Sequence, residues 1–266
     1  ASRSFNAYGA LKGQAFSKAM SLQDIQGVIS DFVHSAQTAV ELGFDAAELH
    51  LGHGYLLSQF LSPATNRRKD EYGGKIEGRM KLPVEVVQAV RDALPPSIAV
   101  VAKTNLEDGF EGGLEIEDSV VAARALESAG VDGLVLSGGF TSRSAFYLLR
   151  GDLPLENITA VQDSAVQRMT MRLFGPKLVK QWPYEPLFFL PLARKVRKAV
   201  SLPLVYLGGA TAQIDLDKAM DEGFDFVAMA RALIADPDLV NRLQSGAAME
   251  SRCNHCNECI AEMDRH

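Results

Sequence analysis

Two histidines and a tyrosine stand within six residues, at His50, His53 and Tyr55. Histidines three apart can ligate zinc as an i, i+3 pair, cap a helix, or sit on a surface. An unperturbed imidazole, titrating near about pH 6.5, can be neutral or charged at neutral pH. Later in the chain, Lys103 ends one apolar run, and Ser137-Gly138-Gly139, Gly208-Gly209 and Ala230-Arg231 end others. A lysine at a strand end is normally solvated, and a lone Gly-Gly pair is a weak signal for anything beyond a turn. The cysteines are Cys253, Cys256 and Cys259, spaced C-x2-C-x2-C. An odd cluster at that spacing is not a secreted disulfide framework. It points to a reducing compartment, with free thiols, bound metal or an iron–sulfur cluster as the alternatives.

The elements that carry these residues can be read from periodicity. Ser21 with Asp24 resembles a capping box. From Ile25 the apolar residues Val28, Ile29, Phe32, Val33, Ala36, Ala39 and Val40 follow at helical spacing. One phrase recurs three times. Glu41-Leu-Gly-Phe-Asp45, Glu127-Ser-Ala-Gly-Val-Asp132 and Asp221-Glu-Gly-Phe-Asp225 each lead into an apolar run. Each reads as a helix end, a left-handed glycine, a short turn and a buried strand. A repeated helix–strand unit implies a parallel sheet, whose ligands bind at one rim. Strands are expected near 46–50, 98–103, 132–137, 203–208 and 225–231. Helices are expected near 21–42, 78–94, 116–129, 187–199 and 213–222, with one more after Pro237. Residues 1–20 read as irregular coil. Residues 140–186 form a long insertion, either a lid over the rim or ordinary packing. Arg67, Arg68, Asp70 and Arg79 read as structural ion pairs beneath the histidines.

The chain has 266 residues, 47% hydrophobic and 23% charged, enough for one large α/β domain with a sizeable core. A net charge of -6 argues against nucleic acid as a partner. No apolar run approaches the roughly 20 residues of a membrane span, and the first residues lack the order of a signal peptide. A cytoplasmic location is expected. The absence of an initiator Met suggests processing or truncation.

The stretch His50-Leu-Gly-His-Gly-Tyr-Leu-Leu-Ser-Gln-Phe-Leu-Ser-Pro63, with Asn66-Arg-Arg-Lys-Asp-Glu-Tyr-Gly-Gly74 after it, closely resembles the old yellow enzyme family. These are FMN-dependent ene-reductases on a (β/α)8 TIM barrel. The branch most resembled contains bacterial NADH:flavin oxidoreductases and dienoyl-CoA reductases. The resemblance runs from about Ser21 to the cysteines. It implies that the five strands are strands four to eight of such a barrel, without strands one to three. Residues 1–252 would then be a partial flavin-binding barrel with the 140–186 insertion, and 253–266 a cysteine-rich tail.

The resemblance also implies roles. His50 and His53 match the pair that binds the substrate carbonyl oxygen, and Tyr55 matches the proton donor to the α-carbon. Lys103 matches the cation beside flavin N1 and the C2 carbonyl. Gly138, Gly208, Gly209, Ala230 and Arg231 match the phosphate side, although the family usually has Gly-Arg where this chain has Ala230-Arg231. Cys253, Cys256 and Cys259 resemble the region that ligates a 4Fe–4S cluster, but with a shorter second gap and no fourth cysteine. The implied reaction passes hydride from NAD(P)H through FMN to an alkene conjugated to a carbonyl, in an enone or enoate. A quinone reductase or demethylase of the same family is one alternative. Another is a non-catalytic fragment or scaffold that holds no flavin alone and pairs with itself or a complementing chain.

Overall fold

The computed structural model describes residues 4–5, 16–162 and 164–264. Two short strands, β1 (Ser4–Phe5) and β2 (Phe16–Ser17), pair antiparallel where coil was expected. The rest of the expected coil, at 1–3 and 6–15, lies outside the described residues. The capping box forms as expected: Ser21 N donates to Asp24 Oδ2 at 2.7 Å, and Asp24 N donates to Ser21 Oγ at 3.1 Å. It opens α1 (Leu22–Glu41).

Five parallel strands follow in sequential order in one sheet: β3 (Ala46–Leu51), β4 (Ala99–Asn105), β5 (Gly133–Ser137), β6 (Leu204–Leu207) and β7 (Phe226–Ala228). Their joints show why the recurring phrase has its glycine and aspartate. Gly43, Gly130 and Gly223 take φ of 91°, 97° and 85°, a region that suits glycine. Asp132 accepts from Val100 N at 2.7 Å, and Asp225 accepts from Leu204 N at 2.9 Å. Each carboxylate thus satisfies an amide near the start of the neighbouring strand, and Arg91 and Arg197 pair with them.

Helices cover one face of the sheet. They include α1, α2 (Leu56–Leu61), α3 (Ile76–Arg79), α4 (Lys81–Ala93) and α5 (Ile116–Ala129). The expected 78–94 helix is therefore two helices that meet at Met80. The insertion carries α6 (Thr141–Leu148), α7 (Leu155–Ala160) and α8 (Ala165–Leu178). The chain ends with α9 (Leu190–Arg197), α10 (Gln213–Asp221), α11 (Arg231–Ala235), α12 (Leu239–Gln244) and α13 (Glu258–Ala261). The core lies between the sheet and these helices, with Leu49, Leu51, Val87, Val100, Leu126, Leu134, Phe189 and Tyr206 buried in it.

The other face is open at the two outer strands. Glu48 is exposed on β3, and Phe226 on β7 is 60% exposed. At the free edge of β3, residues of α1 together with Phe44, Ala46 and Leu49 line a groove of about 410 Å³. Among the described residues no helix is long and apolar enough to cross a membrane.

Candidate functional site

Register delivers the cluster to one rim. His50 pairs with Lys103 across β3 and β4, and Asn105 pairs with Ser137 across β4 and β5. Beyond β3 the chain turns through Gly52-His53-Gly54. A side chain at Gly52 would meet Asn105 Oδ1 at 2.8 Å, and one at Gly54 would meet the Phe140 ring at 2.5 Å. Glycine on both sides thus lets this loop press onto β4 and the start of α6.

His53 between them takes φ of 61°, an uncommon conformation for a residue with a side chain. It persists because its surroundings over-determine it. His53 N donates to Asn105 Oδ1 at 3.0 Å, and the His53 carbonyl accepts from both Thr141 N and Thr141 Oγ1 at 2.9 Å. The ring Nε2 lies 2.7 Å from Ser137 Oγ. Asn105 is itself fixed, since its Nδ2 donates to Asp108 Oδ1 at 2.9 Å and to Gly139 O at 2.8 Å. Asp108 in turn accepts from Leu114 N at 2.8 Å. Asn105 and Asp108 are fully buried, and burial pushes the Asp108 carboxyl above its usual range.

The three rings predicted to act together do come together. His50 and His53 have centroids 4.9 Å apart, and His50 and Tyr55 5.1 Å apart. Burial, then the neighbouring His50 and Lys103, lowers the His53 pKa to about 4. Burial and Lys103 also lower that of His50, against the opposing pull of Glu48. Both rings are therefore neutral at pH 7 in this fold. Neither the His50 ring nitrogens nor the Tyr55 hydroxyl has a hydrogen-bond partner among the described residues, and Tyr55 is 55% exposed. Lys103 lies on the same open face, with Nζ 2.5 Å from Glu48 Oε1.

Above β6 and β7 the placement of Ala230-Arg231 needs correction. β7 ends at Ala228, so Arg231 is not a strand-end residue; it opens α11, with Ala230 as its N-cap. Arg231 Nη1 donates to Arg150 O at 2.8 Å and to Asn257 Oδ1 in the tail. Burial depresses its pKa. Glycine at 138 and 208 has a packing reason: a side chain at either would meet the Phe189 ring at 2.8 Å. Gly209 adopts φ of 82°, and its carbonyl accepts from Tyr184 Oη at 2.8 Å.

The three cysteines are free and half-buried, and among the described residues no trio of His, Cys, Asp or Glu is arranged to hold a metal. The iron–sulfur expectation does not fit this arrangement. The tail's polar groups are committed to packing instead. Asn257 Nδ2 donates to Leu149 O and Asp152 O, both at 2.8 Å, and His255 stacks on Tyr184 with centroids 3.4 Å apart. His255 and Asn257 both take φ of 61°, turning the chain between the thiols.

The ion pairs expected beneath the histidines are present for three of the four residues. Arg68 pairs with Asp70 at 2.6 Å and Arg79 with Asp118 at 2.5 Å, while Arg67 is exposed. Sequence reasoning passed over Asn105, Asp108 and Thr141, and read Ser137 as the end of an apolar run. The available signal was the polar run Thr104-Asn105 to Asp108 directly after an apolar strand, at the rim where such residues serve ligands.

A family model described as NADH:flavin oxidoreductase / NADH oxidase family matches residues 3–138. A relative from Rhodococcus erythropolis, 4,4'-dithiodibutanoate disulfide reductase, is 44% identical over 244 residues, covering 91% of this chain and 60% of the relative. Among solved structures, a 2-naphthoyl-CoA reductase complex aligns with a TM-score of 0.73 at 23% identity, over 92% of this chain and 33% of that one. The old yellow enzyme homologue from Zymomonas mobilis aligns at 0.61 and 22% identity, over 90% and 57%. These two likenesses establish the fold: the five-stranded sheet is part of an old-yellow-enzyme-type (β/α)8 barrel. The chain spans three fifths or less of the length of each of these proteins.

Proposed function

Since this chain belongs to the NADH:flavin oxidoreductase / NADH oxidase family, we propose that its rim binds and reduces an alkene conjugated to a carbonyl, with FMN as cofactor and NAD(P)H as hydride donor. The observation that carries this reading is the cluster of His50, His53 and Tyr55 rings, with the His50 nitrogens and the Tyr55 hydroxyl unpartnered among the described residues. When bound, FMN supplies the hydride that it has received from NAD(P)H.

The residues present fit that group. Lys103 stands on the open face in register with His50 on the neighbouring strand, where a cation favours an anionic reduced flavin ring. Arg231 uses only Nη1 in its bonds to Arg150 and Asn257, which leaves Nε and Nη2 for a phosphate.

His50 and His53 act on the substrate carbonyl oxygen. As hydride reaches the β-carbon, negative charge gathers on that oxygen, and aimed N–H donors stabilise it without charging the site. Tyr55 holds a proton until the α-carbon draws it off, as a phenolic O–H can. The decisive assay is enone reduction by the flavin-loaded chain and its His50→Ala variant. Unchanged kcat/KM in the variant would reject the carbonyl-binding role.

A second reading takes an organic disulfide as the hydride acceptor. It is supported by the 44% identity to a relative named as a disulfide reductase. Competition between an enone and a dialkyl disulfide for the same loaded protein separates the two. The open edge of β3 and the exposed Phe226 on β7 also favour pairing with further strands in a longer chain or a partner. Flavin retention by residues 1–266 through gel filtration tests whether that pairing is required.

A further inference from the structure

We propose that Ser137 is a positioning residue that sets the tautomer of His53, donating its hydroxyl proton to Nε2 so that Nδ1–H is the group offered to the substrate oxygen. The role of the donor rests on the reading above; the tautomer itself does not.

Ser137 is the last residue of β5 and is fully buried. Its Oγ has one hydrogen-bond partner among the described residues, His53 Nε2 at 2.7 Å. A neutral imidazole carries one N–H, so this contact has only two forms. If Nε2–H donated to Oγ, the Ser137 O–H would be left buried without an acceptor, which is costly. The Nδ1 lone pair would then face an incoming carbonyl oxygen, which can only accept. If Ser137 donates to Nε2, both problems disappear. Nδ1–H has no partner among the described residues, and the half-exposed ring can offer it to solvent or ligand.

The neutral state of His53 that this argument needs agrees with its depressed pKa of about 4. The main chain that carries the ring is held at both its N–H and its carbonyl. Asn105 holds the His53 N–H, and Thr141 holds its carbonyl with two donors. The sequence alone gives no hint of this pairing, because residues 53 and 137 lie 84 positions apart and are brought together by the parallel sheet and by the bridge from His53 to Phe140.

The test is two-bond 15N–1H correlation spectroscopy of the histidine rings in the full, uniformly labelled chain at neutral pH. A His53→Gln variant assigns the signals. The expected result is a protonated Nδ1 and a bare Nε2 in the parent protein. In Ser137→Ala that preference is lost toward a mixture, and Ser137→Thr restores it. Enone kcat/KM in Ser137→Ala falls about tenfold, the worth of one hydrogen bond, with flavin content unchanged. A protonated Nε2 in the parent protein overturns the proposal, and so does an Nδ1–H preference that survives in Ser137→Ala. If the tautomer behaves as expected while His53→Gln leaves enone reduction untouched, the carbonyl-binding reading fails and the tautomer assignment stands.

Discussion

Above β3 to β5, His53 is fastened at its N–H, its carbonyl and its ring by residues at the ends of β4 and β5 and the start of α6. Above β6 and β7, Arg231 is fastened by a single nitrogen, to the carbonyl of Arg150 and the side chain of Asn257. The first region is built from strand ends whose positions the sheet fixes. The second is assembled from a short helix, an insertion and a tail. The difference is between a preset group, which can stabilise charge without reorganising, and an adaptable one, which suits a flexible phosphate. Catalytic sensitivity should concentrate in the first region and cofactor retention in the second.

The sharpest way to break that division is at the histidines. His53→Ala is expected to lower kcat/KM for an enone by on the order of 100- to 1000-fold, as for loss of one aimed oxyanion donor, with bound flavin unchanged in the absorption spectrum. Loss of flavin in step with activity would merge the two regions. On the other side, Arg231→Ala is expected to weaken FMN binding by about 10- to 100-fold, the worth of a charge-assisted hydrogen bond. Fluorescence titration with FMN reads this directly, and kcat at saturating FMN should change little. Substituting Asn105 sharpens the comparison from within the first region. Asn105→Ala removes the bonds to the His53 N–H, an Asp108 oxygen and the Gly139 carbonyl, and should cost at least about 1–3 kcal/mol in urea unfolding.

A further prediction is a pH dependence of stability. The His53 pKa of about 4 lies below its unfolded value of about 6.5. The unfolded chain therefore takes up a proton that the folded chain resists. The stability linked to this group is complete above about pH 6.5 and is lost as pH falls through about 4. His53→Gln should flatten that part of the stability profile, read as urea unfolding free energy against pH.

The same contrast explains what could be read from the chain beforehand. The joints at Gly43, Gly130 and Gly223 were legible because a left-handed turn and its aspartate are local chemistry. The rings of His50, His53 and Tyr55 were legible because three residues on one strand end cannot scatter far. Arg231 was misplaced because the end of β7 depends on its pairing with β6, which stops at Ala228. Asn105 was passed over because what it holds lies 52 residues earlier, in the turn beyond another strand. The thiol spacing was plain, but the left-handed turns at His255 and Asn257 that direct the tail were not. Both residues lack the glycine signature that such turns usually carry.

The most direct measurement is a crystal structure of the FMN-loaded chain with a simple enone bound. The account predicts the carbonyl oxygen about 3 Å from one ring nitrogen of His50 and from one of His53, with Ser137 still on His53 Nε2. An enone bound with its oxygen on other donors, or a His53 ring turned away from it, would contradict the account.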